Sequence, residues 1–297
     1  MGRIVFLGTG GDSFVVGKQI RASGGIIIQE GEIQLHIDPG PGAIIRAIET
    51  TINPRANTAI LVSNNHLINS NDLNAVIDAM TYGGLDKKGV LVTNKTVANG
   101  TEETNPVLTK KHRELIEKMI LLNPEQKLGI ENIEIHATKA INEDPNAIGF
   151  KIFTNESIIG YSGDTKYTKE IARQFKETDI LILNVSAPTN EKEENRLNSD
   201  DAVKFINEAK PRLAVIRNFG IKMLKADPLN EGREIQRKTG VQVVTAKDGI
   251  SLAPGNYEAK SKQKRLSLYK DQSTGEVKTE EIEETIKETE SKEQNNQ

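Results

Sequence analysis

Between Arg3 and Thr245 the chain repeats one pattern, a short run rich in β-branched residues closed by glycine, proline or polar residues. Such runs stand at 3–7, 24–28, 33–38, 58–63, 89–93, 133–137, 149–154, 157–161, 180–184, 213–216 and 241–245. Their length and composition suit strands and are too short for helices. Glu30-Gly31-Glu32, between the second and third runs, is a hairpin signal. Amphipathic stretches at about 71–80, 109–121, 166–176, 199–209 and 230–238 predict helices, the fourth with Ser199 as its N-cap. Hairpins early and strand–helix alternation later predict an α+β chain, with mixed sheets covered by helices.

Composition removes several chemistries. The 297 residues carry 39 Lys and Arg against 42 Asp and Glu, a formal charge of −3, with no cysteine and only four histidines. The absence of cysteine excludes a disulfide scaffold, a cysteine nucleophile, an iron–sulfur cluster and a thiolate zinc site. A near-neutral total argues against bulk nucleic-acid binding. No stretch approaches the ~20 apolar residues of a membrane span, and Met1-Gly2-Arg3 leads directly into a strand-like run. The expectation is a cytoplasmic protein without a membrane partner. After Tyr257 the chain turns highly charged, with Lys260, Lys262, Lys264 and Arg265 ahead of an acidic stretch around Glu280, Glu281, Glu283 and Glu284. This predicts a domain over 1–256 and a charged, disordered tail over 257–297, in which the basic cluster is read as solvated charge rather than an RNA site.

Polar residues cluster after several strand ends, where loops on a rigid sheet carry function. The clusters are Asp38-Pro39-Gly40-Pro41-Gly42, Ser63-Asn64-Asn65-His66-Leu67-Ile68-Asn69, Asn142-Glu143-Asp144-Pro145, Tyr161-Ser162-Gly163-Asp164-Thr165 and Arg217-Asn218-Phe219-Gly220. In order and spacing, together with the opening Phe6-Leu7-Gly8-Thr9-Gly10-Gly11 and the closing Ala246-Lys247-Asp248-Gly249, they resemble the metallo-β-lactamase fold superfamily, most closely its archaeal branch. The resemblance implies a four-layer αββα sandwich of two mixed sheets, with loops converging on one or two metal ions. Its ligands would be a His-x-His-x-Asp-His segment, a later His, a bridging Asp and a final His.

Carried over position by position, the ligand pattern is degenerate. The first motif places Asn64, His66, Ile68 and Asn69 where the family has His, His, Asp and His. The later His falls on Asn142, the bridging Asp on Asp164 and the final His on Asn218, in a segment that usually reads Thr-His-Phe-Gly. A further histidine of the branch falls on Arg196. Only His66 and Asp164 keep a ligand-type side chain, and both are read as vestigial. An amide oxygen is a poor zinc ligand, and an isoleucine can neither bind metal nor orient water. Asp38 sits where the family has an acid that orients a ligand imidazole.

Local structural roles compete at each position. Asp164 in its Gly-Asp-Thr turn could cap the following helix, Asp38 could form a Pro-Gly turn, and His66 alone is an ordinary loop histidine. His36, His112 and His136 have no ligand partners in sequence. Neither a dinucleotide loop at Gly8–Ser13 nor a serine nucleophile elbow at Ser162 or Ser186 has the required spacing.

The reading that follows is a superfamily member that has lost its metal chemistry and acts as a binding or interaction module. No cofactor is expected, and the candidate partners are a second copy or an active relative. Two alternatives remain: a hydrolase of phosphodiesters or thioesters, with zinc or another divalent metal held by His66, Asp164 and Asp72 or Asp144, or an RNA-binding protein.

Overall fold

Two sheets share one apolar layer in a computed structural model that describes residues 2–257; the expected charged tail lies outside the described residues. The first sheet contains β1 (Arg3–Phe6), β2 (Ile26–Glu30), β3 (Ile33–Ile37), β4 (Ala59–Leu61), β5 (Val90–Thr93) and β6 (Lys118–Leu121) in that spatial order. Strands β1 to β3 are antiparallel, and β3 to β6 run parallel. The second sheet contains β7 (Lys127–Ile130), β8 (Ile133–Lys139), β9 (Ile148–Phe153), β10 (Ile158–Tyr161) and β11 (Ile180–Ala187), with β12 (Leu197–Asn198) attached to β11. It continues from β11 through β13 (Leu213–Arg217) to β14 (Gln242–Thr245), and β15 (Ser251–Leu252) closes the first sheet beside β1.

Side-chain alternation decides which residues meet. Ile26, Ile28, Leu35 and Ile37 of the first sheet face Ile135, Phe150, Ile152, Ile180 and Ile182 of the second. Leu181, Leu183 and Val185, the alternate residues of β11, face outward against Phe205, Ile206 and Ile235 of the helices Ser199–Ala209 and Pro228–Thr239. Covered on both sides, β11 reads as the nearly unbroken apolar run typical of parallel strands. On the opposite side Val76, Ile77 and Met80 of helix Leu73–Thr81 pack on Ile60 and Leu91. The result is the expected αββα order of layers. Each fully buried aliphatic or Phe side chain contributes about 1.5–3 kcal/mol, so the shared layer dominates the stability.

Two local expectations are corrected. The stretch 109–121 is a short helix, Lys110–Leu115, followed by β6. Ile116 leaves the helix with extended dihedrals, and Met119 and Ile120 pair with Leu91 and Val92 of β5. Ladder bonds at an open sheet edge override the second half of the amphipathic stretch and leave a helix of under two turns. The cap of helix Ser199–Ala209 is Asn198, whose side chain accepts from Asp201 N at 2.8 Å, whereas the Ser199 hydroxyl is buried without a partner. Helices Ser13–Gly17, Ala43–Glu49, Lys95–Asn99 and Ile221–Lys225, with strands β7, β12 and β15, are too short or irregular to show a period in sequence. No helix among the described residues is long and apolar enough to cross a membrane.

The loops that carry the candidate residues all leave the C-terminal ends of strands. The loop after β1 is laced to the loop after β13: Phe219 N donates to Thr9 O at 2.7 Å, and Gly11 N to Phe219 O at 3.0 Å. A Cβ on Gly11 would stand 1.9 Å from the Asn218 carbonyl oxygen, so only glycine permits this approach. Gly11→Ala is therefore expected to lower the melting temperature by several degrees, whereas Gly17→Ala, whose Cβ meets nothing within 4 Å, is neutral or stabilising; thermal denaturation followed by circular dichroism compares the two.

Candidate functional site

Asp164, just beyond the end of β10, is the centre to which the loops converge. Its Oδ1 accepts from Asn184 Nδ2 at 2.7 Å and from Asn218 Nδ2 at 2.9 Å, and its Oδ2 accepts from Asn69 Nδ2 at 2.8 Å. A carboxylate only accepts, so each of these amides must present its nitrogen. Asn142, from the loop after β8, donates to the Asp164 carbonyl oxygen at 2.7 Å. Asn64 receives Asn69 Nδ2 and His66 N on its Oδ1, at 3.2 and 2.9 Å, and donates to Ser63 Oγ at 3.0 Å. Of the four asparagines expected at ligand positions, Asn69 and Asn218 donate to this carboxylate, Asn142 donates to the Asp164 backbone, and Asn64 reaches it through Asn69.

A second buried acid completes the arrangement. Asp38, at the end of β3, accepts from Ser63 N and Oγ at 2.7 Å each and from the Tyr161 hydroxyl at 2.5 Å. Tyr161 accepts in turn from Asn184 Nδ2 at 3.2 Å, which closes a ring: Asp38, Tyr161, Asn184, Asp164, Asn69, Asn64 and Ser63. The ring takes residues from β10 and β11 and from the segments after β3, β4 and β10, and so joins both sheets. Burial, only partly offset by Tyr161 and Ser63, pushes the Asp38 carboxyl up to about 6. Burial and the neighbouring Asp38 push the Tyr161 phenol well above its ordinary value.

The remaining candidates take local roles. His66 caps the helix Leu67–Ser70, with its Nδ1 facing Ile68 N at 3.4 Å, while Arg196 stands 3.3 Å from its Nε2 and donates to Gly11 O at 2.8 Å. Burial holds the His66 imidazole below its ordinary range. Ile68 is buried and contributes backbone contacts, its carbonyl accepting from Ser23 Oγ at 3.0 Å. The helix-cap reading of Asp164 is overturned, because the next helix, Lys169–Gln174, is capped by Thr168. Asp72 accepts from Gly42 N and Ala43 N, and Asp144 from Asn65 N, Asn94 Nδ2 and Asn146 N, so both replacement acids are committed to structure.

Asn184 lies outside the polar clusters that the sequence marks, and Ser63, Tyr161 and Arg217 lie within them without a role assigned from sequence. Their signal was present, since Asn184 and Arg217 interrupt or end apolar runs that the fold buries completely. A polar group in such a place must find a partner.

The donor set does not fit a divalent metal. Both Asp164 oxygens already accept amide hydrogens, the amides turn nitrogen rather than oxygen toward it, and an arginine faces the imidazole nitrogen. Among the described residues no group of three or more His, Cys, Asp or Glu is placed to hold a metal ion.

Comparison with known proteins settles the lineage. Residues 34–217 match the model of the β-lactamase superfamily domain, a span that opens in β3, closes with β13 and contains the whole ring. The chain belongs to this superfamily. It is 34% identical over 259 residues to an uncharacterised protein of the archaeon Methanocaldococcus jannaschii, covering 86% of this chain and 97% of that one. Among solved structures, the metallo-β-lactamase fold protein YhfI of Bacillus subtilis is similar with a TM-score of 0.71 and 16% identity, covering 84% of this chain and 98% of that one. The short form of human tRNase Z has a TM-score of 0.62 and 14% identity, covering 84% and 98% of the two chains. A diphosphatase of the PhnP family has the same TM-score and identity, with coverage of 85% and 98%. At such identities these structures share the superfamily fold alone.

Two buried groups, His36 in β3 and Asp38 in the ring, give the fold a pH signature. His36 donates from Nε2 to Gly24 O at 2.8 Å, and burial lowers its imidazole to about 4. Unfolded His36 takes a proton between about pH 6.5 and 4 while the folded imidazole does not, so its contribution is full above 6.5 and lost on acidification. Asp38 works oppositely: the folded carboxyl holds its proton up to about 6, so its contribution grows as pH falls from 6. His36→Gln removes the first effect alone. Relative to the parent, that variant is expected to gain up to about 3 kcal/mol between pH 7 and 4; urea unfolding at both pH values measures the difference.

Proposed function

We propose that this chain is a non-catalytic superfamily member, a binding or interaction module that keeps the shape of a metallohydrolase site without its chemistry. The observation that carries the reading is the engagement of both Asp164 carboxylate oxygens by the amides of Asn69, Asn184 and Asn218. A hydrolase of this fold needs a bound hydroxide activated by metal. Here the carboxylate that would bridge ions is the acceptor of a closed amide cage, and the position that would carry a second carboxylate is Ile68. Asn64, Asn142 and Asn218 line the same place, with His66 and Arg196 beside it, and Asp38 anchors it from behind through Ser63 and Tyr161. His66 and Asp164 are remnants of a ligand set that now serve as a helix cap and a hydrogen-bond hub. No cofactor is required, the setting is the cytoplasm, and the partner is a second copy or an active relative. The fold neighbours that process RNA or cleave diphosphates lend no activity to this chain at their level of identity.

Metal analysis of protein purified without a histidine tag and without chelator is the direct test. Zinc, iron and manganese are expected at well below one ion per chain, with no hydrolysis of phosphodiester or thioester substrates. A stoichiometric ion together with metal-dependent turnover that Asp164→Ala abolishes would establish the rearranged hydrolase instead. Salt-sensitive binding of RNA would move the reading to the RNA-binding alternative.

A further inference from the structure

Buried carboxylates are stable only beside strong donors or a compensating charge. Asp38 and Asp164 are 1% and 6% exposed, and the amides and hydroxyls around them carry no charge of their own. The residue that does is Arg217, 2% exposed at the end of β13, in the segment where the superfamily pattern has threonine. One of its terminal nitrogens donates both to the Tyr161 hydroxyl oxygen at 3.4 Å and to Asn184 Oδ1 at 3.0 Å. The other donates to the Gly8 carbonyl oxygen at 3.1 Å. Tyr161 is the group that donates to Asp38, and Asn184 donates to Asp164. A single guanidinium nitrogen therefore stands one side chain away from each acid. Donation to an oxygen polarises that group's own O–H or N–H and strengthens its next hydrogen bond.

We propose that Arg217 is the standing cation of this site, a fixed positive charge relayed through Tyr161 and Asn184 to Asp38 and Asp164. It assembles the loop cluster where the superfamily pattern uses metal ions. An aliphatic side chain would extend the Leu213–Ile216 run at lower cost, since the guanidinium leaves its Nε buried without a partner. The arginine is explained by the acids. The inference concerns how the site is held and stands whether or not the protein turns over a substrate.

The test is a double-mutant cycle on the full chain, read by melting temperature with and without EDTA. Arg217→Met, which keeps bulk and removes charge, is expected to lower the melting temperature by about 10 °C. Arg217→Lys, which keeps the charge, should recover at least half of that loss. Arg217→Met/Asp164→Asn should lose less than the two single variants together, because one of the two buried acids that depend on the cation is then gone. EDTA and added zinc should leave the parent unchanged. Equal losses for Met and Lys, additive single effects, or a parent destabilised by EDTA would each overturn the proposal. Should Arg217→Met not accumulate folded, recovery of folded protein in the double variant is the same expected result, and its absence the same refutation. The coupling between Arg217 and Asp164 is read without metal, so its absence overturns this proposal and leaves the functional reading standing, whereas destabilisation of the parent by EDTA counts against both.

Discussion

The loop end of this molecule depends on one carboxylate and the donors it holds. Asp164 is almost fully buried, and an ionised group in such a place costs several kcal/mol unless its lone pairs are met. Asn69, Asn184 and Asn218 meet them from three separate elements of the chain. Because the donors come from the loops after β4 and β13 and from within β11, satisfying Asp164 also fixes where those segments sit. The sheets provide the platform, and the carboxylate dictates the arrangement on it.

Most of the platform was legible in the sequence because its signal is periodic. Runs such as Ile180–Leu183 and Leu213–Ile216 are apolar throughout, as strands buried on both faces must be, and Ile26–Ile28 against Leu35–Ile37 mark a hairpin. The polar clusters gave the positions of the site: Asn64, Asn69 and Asp164 stand in the ring, and Asn142 and Asn218 donate to Asp164 from outside it. What sequence could not supply was the pairing. Asn184 and Arg217 lie 33 residues apart in chain and meet only because β11 and β13 are neighbours in parallel register. β6 was concealed for the same reason, since its strand form depends on β5 and not on its own residues.

A superfamily site emptied of imidazoles could have collapsed into a patch of unpaired amides. Instead nearly every polar atom has a partner, and among the ring's neighbours the buried exceptions are Asn218 Oδ1 and Arg217 Nε. Amide–carboxylate contacts are far weaker than metal–ligand bonds, and in the reading proposed above they hold the loops with no dependence on metal supply.

The direction of the hydrogens around the ring is fixed from both ends. With Asp38 ionised, Tyr161 must donate to it, so its oxygen receives Asn184 Nδ2, which leaves Asn184 Oδ1 for Arg217. With Asp164 ionised, Asn69 must present nitrogen, so Asn64 turns oxygen to it and nitrogen to Ser63, whose hydrogen then goes to Asp38. The two deductions agree, and one arrangement of protons satisfies the whole cycle. Such a circuit is ordered like a crystal rather than fluid like a chain of waters. It has no idle rotor and no exchangeable direction along which a proton could be handed from one acid to the other.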